Sequence, residues 1–165
     1  MGLSVGSLRG SSPLFHGTDE PHELDGLQGG SFLSDSRKTA RHFALLRTGR
    51  GFILSYRTWR RPERIVQLNT DADARALLDW YAAVRGAPSP YLAEWETWPE
   101  GLLDGFIRMG PENMEVVDAL CSEGIDGWQA TNVYRGGGSD VMLCRPAKWL
   151  KLVEVTPVHD SGHTD

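Results

Sequence analysis

The chain has 165 residues, 40% apolar and 24% charged, with a formal net charge of −5 and two cysteines. That length suits one domain able to bury most of its unfolded surface and to hold a shaped pocket without disulfides. No apolar run is long enough to span a bilayer, the first residues lack the charged start and continuous apolar stretch of a secretory signal, and the acidic balance argues against a broad hold on phosphate backbones; the expectation is a cytoplasmic protein with no membrane association.

Residues 1–12, rich in glycine and serine, and residues 156–165, polar with a proline, are expected to be flexible ends around a domain over 13–155. Leu14 to His16 reads as a short strand, and Asp19 to Gly30 as a polar loop leading to a second strand around Phe32. Ser36 can cap a helix running to about Arg47, with Ala40, Phe43 and Ala44 on one face and Gly49 and Gly51 as the stop. Phe52 to Tyr56 is a half-buried strand and Arg64 to Leu68 another. Thr70 and Asp73 form a capping pair for a helix over 71–85, where Ala74, Leu77, Leu78 and Tyr81 recur at helical spacing. Residues 90–109 hold Trp95, Trp98 and Phe106 without clear periodicity and read as an irregular insertion or short helix. Pro111 opens a further helix with Met114, Val117, Leu120 and Cys121 on its apolar face, closed by Gly124; strands over 125–130, 140–145 and 149–155 finish the domain.

This order has no regular strand–helix alternation, which favours an α+β fold with split antiparallel-type sheets over a doubly wound one. No Gly-x-Gly-x-x-Gly follows the first strand, which argues against a Rossmann site. Cys121 and Cys144 lack metal-site spacing, and each reads as a small buried hydrophobe. Arg57, Arg60, Arg61 and Arg64 form a local basic strip that reads as a solvated connection between strands, so nucleic acid is unsupported as a partner.

Leu14-Phe15-His16-Gly17-Thr18, then Gly30-Ser31-Phe32-Leu33-Ser34, then Lys38-Thr39-Ala40-Arg41-His42-Phe43 and Gly51-Phe52-Ile53-Leu54 resemble the catalytic core of the ADP-ribosyltransferases of the diphtheria-toxin and poly(ADP-ribose) polymerase type. Ser139-Asp140-Val141-Met142-Leu143 falls where that family places its catalytic glutamate, at the start of a late strand behind a variable loop. The resemblance implies a single domain of split β-sheets with flanking helices, NAD as substrate, and no metal.

A dinucleotide bound without a phosphate loop must be held by its sugar edges and its nicotinamide amide. His16 would donate to a ribose hydroxyl, its second nitrogen fixed by a neighbouring backbone group, and the backbone of Gly17, beside Thr18, would meet the carboxamide. Phe32 supplies one ring face or belongs to the core. His42 or Phe43, where the family has a tyrosine, stacks on nicotinamide. Ser34 meets nicotinamide or its ribose, or serves the turn into the helix. Cleaving the nicotinamide–ribose bond builds positive charge on the sugar, so a carboxylate beside it lowers the barrier; the resemblance assigns this to Asp140, one methylene shorter than the family's glutamate. Asp126 is a second carboxylate, read as shaping the turn into its strand. The loop from Thr131 to Ser139, with its Arg135-Gly136-Gly137-Gly138 run, would govern acceptor choice.

The function implied is mono-ADP-ribosylation of a macromolecule, expected to be a protein, by a small bacterial or phage type of effector acting on a host defence component. The alternatives are an NAD glycohydrolase, a non-catalytic NAD- or ADP-ribose-binding module and, against the acidic charge, an RNA 2′-phosphotransferase. With Asp140 as its carboxylate, the transferase reading requires His16 and Asp140 to face one cleft; side chains on opposite faces of the sheet would end it in that form.

Overall fold

A computed structural model describes residues 2–10, 13–108, 110–131 and 138–161. In chain order its strands are β1 (Val5–Gly6), β2 (Leu14–Thr18), β3 (Phe32–Ser34), β4 (Arg50–Thr58), β5 (Ile65–Leu68), β6 (Gly127–Thr131), β7 (Ser139–Leu143) and β8 (Leu150–His159). Its α-helices are α1 (Arg37–Leu45), α2 (Asp71–Arg85), α3 (Leu92–Glu96), α4 (Leu102–Arg108), α5 (Met114–Ser122) and α6 (Pro146–Trp149), with 3-10 turns over Pro21–Asp25 and Gly110–Asn113. The stretch expected to be irregular between 90 and 109 thus contains two short helices. The loop run 132–137 lies outside the described residues.

Local chemistry explains where α1 and α2 begin. The Ser36 hydroxyl accepts from the Thr39 amide at 3.2 Å, satisfying one of the free donors of the first turn of α1. At α2 the Thr70 hydroxyl accepts from the Asp73 amide while the Asp73 carboxylate accepts from the Thr70 amide, a reciprocal capping box. Gly86 ends α2 with a φ of 79°, a conformation glycine adopts without a Cβ penalty. Asp71 also accepts from the Leu103 amide at 3.0 Å, which ties the start of α2 to α4.

The strands form one eight-stranded sheet in the order β1-β5-β6-β7-β3-β2-β4-β8, antiparallel throughout except for the β5–β6 pair. The architecture is α+β, but the two separate sheets expected from sequence are a single sheet. Its thinnest junction is β2–β3, with one registered pair, Phe15 with Ser34, against nine between β4 and β8. Three-residue β3 cannot offer a long ladder. In place of further backbone pairing, the His16 ring reaches across to the Phe32 carbonyl.

Register sorts the sheet into two faces, because cross-strand partners share a face and successive residues alternate. Val66, Leu68, Trp128, Ala130 and Met142 pack under α2, α4 and α5 around the buried Trp95 and Phe106. On the opposite face Leu14, Leu33, Leu54, Val141 and Leu143 pack with Leu8 and Trp149. Helix α1 covers the first face where β2 and β4 run; the buried Ala40 and Ala44 let it lie close to the strands.

The cysteines do not pack as separate hydrophobes. Cys121, near the end of α5, and Cys144, just past β7, are both half-buried and form a disulfide with Cα atoms 5.6 Å apart. A separation of 23 residues carries no local signal for this; the fold brings the two cysteines together, with α5 packed on α2 and β6, and β6 paired with β7. Strand pairing also passes the expected domain limits at both ends, since β1 joins β5 and β8 runs to His159 along β4. Among the described residues no helix is long and apolar enough to cross a membrane.

Candidate functional site

His16 is held at both ring nitrogens. Nδ1 lies 2.6 Å from the Phe32 carbonyl and Nε2 lies 2.9 Å from a Glu23 carboxylate oxygen. Both partners are acceptors, so both hydrogen bonds form together only when both ring nitrogens carry protons. The side chains are 12% and 22% exposed, which leaves the pair within reach of solvent.

Glu23 sits in the 3-10 turn of the β2–β3 connection, started by Pro21 and anchored by Leu24 against the Leu14 face of the sheet. The hydrogen bond from His16 holds its carboxyl below the ordinary glutamate value; burial opposes this, and the Thr18 hydroxyl adds to the lowering. Thr18 is buried, and its hydroxyl accepts from the Glu20 amide at 2.9 Å. Tyr56 lies on the same face, opposite Leu14 in register; burial, with the Glu23 charge adding, pushes its phenol up to about 12. Nothing in the polar stretch over 19–30 singles out Glu23 by sequence, because its place follows from the Pro21–Asp25 turn. The signal for that turn is faint: a proline opening a turn, followed by Leu24 and Leu27, both of which pack on the sheet.

Asp140 stands elsewhere. It is 5% exposed on β7, directly opposite Ser34 of β3 and Ala130 of β6. Ser34 is in turn opposite Phe15, so Phe15, Ser34 and Asp140 form one row on the helix-covered face. His16 follows Phe15 and therefore points to the other face. The sheet separates His16 from Asp140, and the single cleft expected to contain both is not formed.

The remaining predicted residues divide in the same way. Gly17 does not leave room for a ligand on its Cβ side, because a Cβ there would overlap the Ala40 carbonyl oxygen and lie 2.9 Å from the Ala44 amide nitrogen of α1. The Ser34 hydroxyl accepts from the Ser36 amide at 3.1 Å and so serves the turn into α1. The Phe32 ring packs edge-on against the buried Trp128 with centroids 5.6 Å apart, a core role. His42 and Phe43 lie on the outer side of α1, edge-on to each other, with Phe43 44% exposed. Asp126 accepts from the Arg64 amide at 3.1 Å and its own amide donates to the Arg64 carbonyl at 2.8 Å, which ties the entry of β6 to the entry of β5. Asp35 makes a comparable long-range tie, accepting from the Ser139 amide at 2.8 Å at the start of β7.

A depression of about 510 Å³ lies at the far end of β4 and β8, lined by residues including Asp19, Arg50, Phe52 and His159, and takes in neither His16 nor Asp140. Among the described residues no group of three or more His, Cys, Asp or Glu side chains is arranged to hold a metal ion.

No protein-family model and no curated protein matches the chain. One solved structure, described as the M. tuberculosis MbcT–MbcA toxin–antitoxin complex, contains a chain similar over 93% of this chain and 87% of its own, at 12% identity and a TM-score of 0.49. That likeness is too slight to carry an argument.

Proposed function

We propose that the protein is an NAD-dependent mono-ADP-ribosyltransferase acting on a macromolecule, expected to be a protein. One observation supports the reading. The three segments that carry the resemblance most directly, Leu14–Thr18, Phe32–Ser34 and Ser139–Leu143, are neighbours in the sheet as β2, β3 and β7, although the third lies far along the chain from the others.

In this reading the ligand enters at the β2–β3 junction from the His16 face. His16 keeps Nδ1 on the Phe32 carbonyl while Glu23 swings aside, so that Nε2–H donates to a ribose hydroxyl in its place, a donor that fits a sugar edge. The freed Glu23 carboxylate stands on the same face and stabilises the positive charge that develops on the sugar as nicotinamide leaves with the bonding pair. An acceptor nucleophile then forms the new bond to the same carbon and loses its proton. Glu23 thereby takes the part that sequence reasoning gave to Asp140, which lies behind the sheet. Stacking by Phe43 is not used, since α1 covers the opposite face.

A second reading, an NAD-binding module without chemistry, is favoured by the separation of His16 from Asp140. Incubation with labelled NAD and candidate lysates, with thermal shift alongside, distinguishes the two. The transferase reading expects nicotinamide release with acceptor labelling, a loss of about a hundredfold in Glu23→Gln with the NAD thermal shift retained, and little change in Asp140→Asn. A thermal shift without nicotinamide release leaves the binding module; release without labelling leaves a glycohydrolase. No thermal shift with NAD at about 1,000 times a typical dissociation constant rejects both readings.

A further inference from the structure

The basic strip near residue 60 becomes a larger surface once the chain is folded. Arg57 and Lys151 are register partners at the end of the β4–β8 ladder, and Thr58 pairs with Leu150 beside them. One step further the Trp59 amide donates to the Trp149 carbonyl at 3.0 Å, which brings Lys148 of α6 to the same rim. Arg57, Arg60, Arg61, Lys148 and Lys151 are all exposed, five cations gathered on one end of a chain whose net charge is −5. None of the ion pairs among the described residues uses any of the five. Glu154, the nearest carboxylate along β8, accepts from the Thr156 hydroxyl at 3.0 Å.

Aromatic rings are interleaved with these cations. Trp59 is 57% exposed, with the Arg60 guanidinium 5.7 Å from its ring centroid, and the Lys148 ammonium lies 4.5 Å from the Trp149 centroid. Trp149 is buried and fixes the rim to the core, whereas the Trp59 indole is presented to solvent. A guanidinium over one side of an exposed indole leaves the other side for a flat partner, and cations on either flank suit phosphates. An anionic membrane would need only the charges, and an acidic peptide would have no use for the open ring.

We propose that the rim built from Arg57, Trp59, Arg60, Lys148 and Lys151 binds single-stranded nucleic acid, one base stacking on Trp59 while the cations take the backbone. The proposal is independent of any reaction with NAD. It goes against the reading from sequence alone, in which the four arginines were a solvated connection, because that reading could not bring Lys148, Lys151 and the Trp59–Trp149 contact to the same place.

The test is fluorescence anisotropy with the whole chain and a labelled single strand of about 12 nucleotides, the length scale of a single-strand site. Binding should weaken with salt, with a slope of log K against log salt of about −2 to −4, set by the few cations engaged. Trp59→Ala should weaken binding about tenfold, Trp59→Phe should retain most of it, and the Arg57→Gln, Lys151→Gln pair should flatten the salt slope. Arg75→Gln, on α2 and paired with Glu96, should change neither. Three results would each overturn the proposal: no binding at about 50 mM salt, equal affinity for vesicles rich in anionic lipid or for polyglutamate, or wild-type affinity in a folded Trp59→Ala protein.

Discussion

His16 Nε2 meets the Glu23 carboxylate at 2.9 Å, and this pair clips the 3-10 turn of the β2–β3 connection onto the sheet at its thinnest junction. Because the folded protein holds the Glu23 carboxyl below its ordinary value of 4.5, the folded state binds fewer protons than the unfolded chain around that pH. The stabilisation is therefore complete above that ordinary value and is lost as pH falls through the lower folded value. Thermal melts of wild type and Glu23→Gln should show a gap at about pH 5 to 6 that narrows on acidification below about pH 4.5. A gap that persists unchanged into acid would contradict the assignment.

Gly17 is required by α1 rather than by a ligand. Gly17→Ala forces a methyl into the Ala40 carbonyl, so α1 must move off β2. The expected cost is about 3 kcal/mol, at the upper end for overpacking, with a lowered denaturation midpoint in urea. An unchanged midpoint would mean that the helix–strand approach is looser than described.

The Cys121–Cys144 bond closes a loop across α5, β6 and β7. Replacing both cysteines by serine, or adding reductant, should lower stability by about 3 kcal/mol from loop-closure entropy. Thiol titration of unfolded, unreduced protein should find no reactive thiol, and a full pair of thiols would refute the bond. Persistence of the bond also bears on compartment, since reducing compartments disfavour it.

At the start of α2, Thr70→Ala removes the hydroxyl that accepts from the Asp73 amide and should cost about 1 kcal/mol. Asp71→Asn should also destabilise, because it weakens the charged acceptor for the Leu103 amide between α2 and α4. The double variant tests their independence by urea titration; effects that add indicate that the cap and the inter-helix bond act separately.

Local features were legible before folding. The Ser36 and Thr70 caps, the helix over 71–85 and the approximate positions of most strands are written in residues within four positions of one another. The Pro21–Asp25 turn, β1 and the last residues of β8 were not, because their stability comes from contacts with distant strands or core residues. At the candidate site, the sequence suggested a ribose hydroxyl and a backbone group as the partners of the two His16 ring nitrogens, and the backbone group is the Phe32 carbonyl. It could not show that Glu23 stands where the ribose hydroxyl was expected, or that Ser34 and Phe32 are committed to a turn and to the core.

The sequence by itself determined an α+β chain with side-chain caps where α1 and α2 begin, and the family resemblance grouped His16, the Phe32–Ser34 strand and the Ser139–Leu143 strand as expected parts of one site. Only the tertiary structure decided that those strands lie side by side, that Phe15 aligns with Ser34 and Asp140, and that His16 consequently faces away from Asp140 toward Glu23. The reason is physical. Capping and periodicity depend on neighbours along the chain, whereas the face a strand residue occupies depends on register between distant strands, where a shift of one residue reverses every side chain.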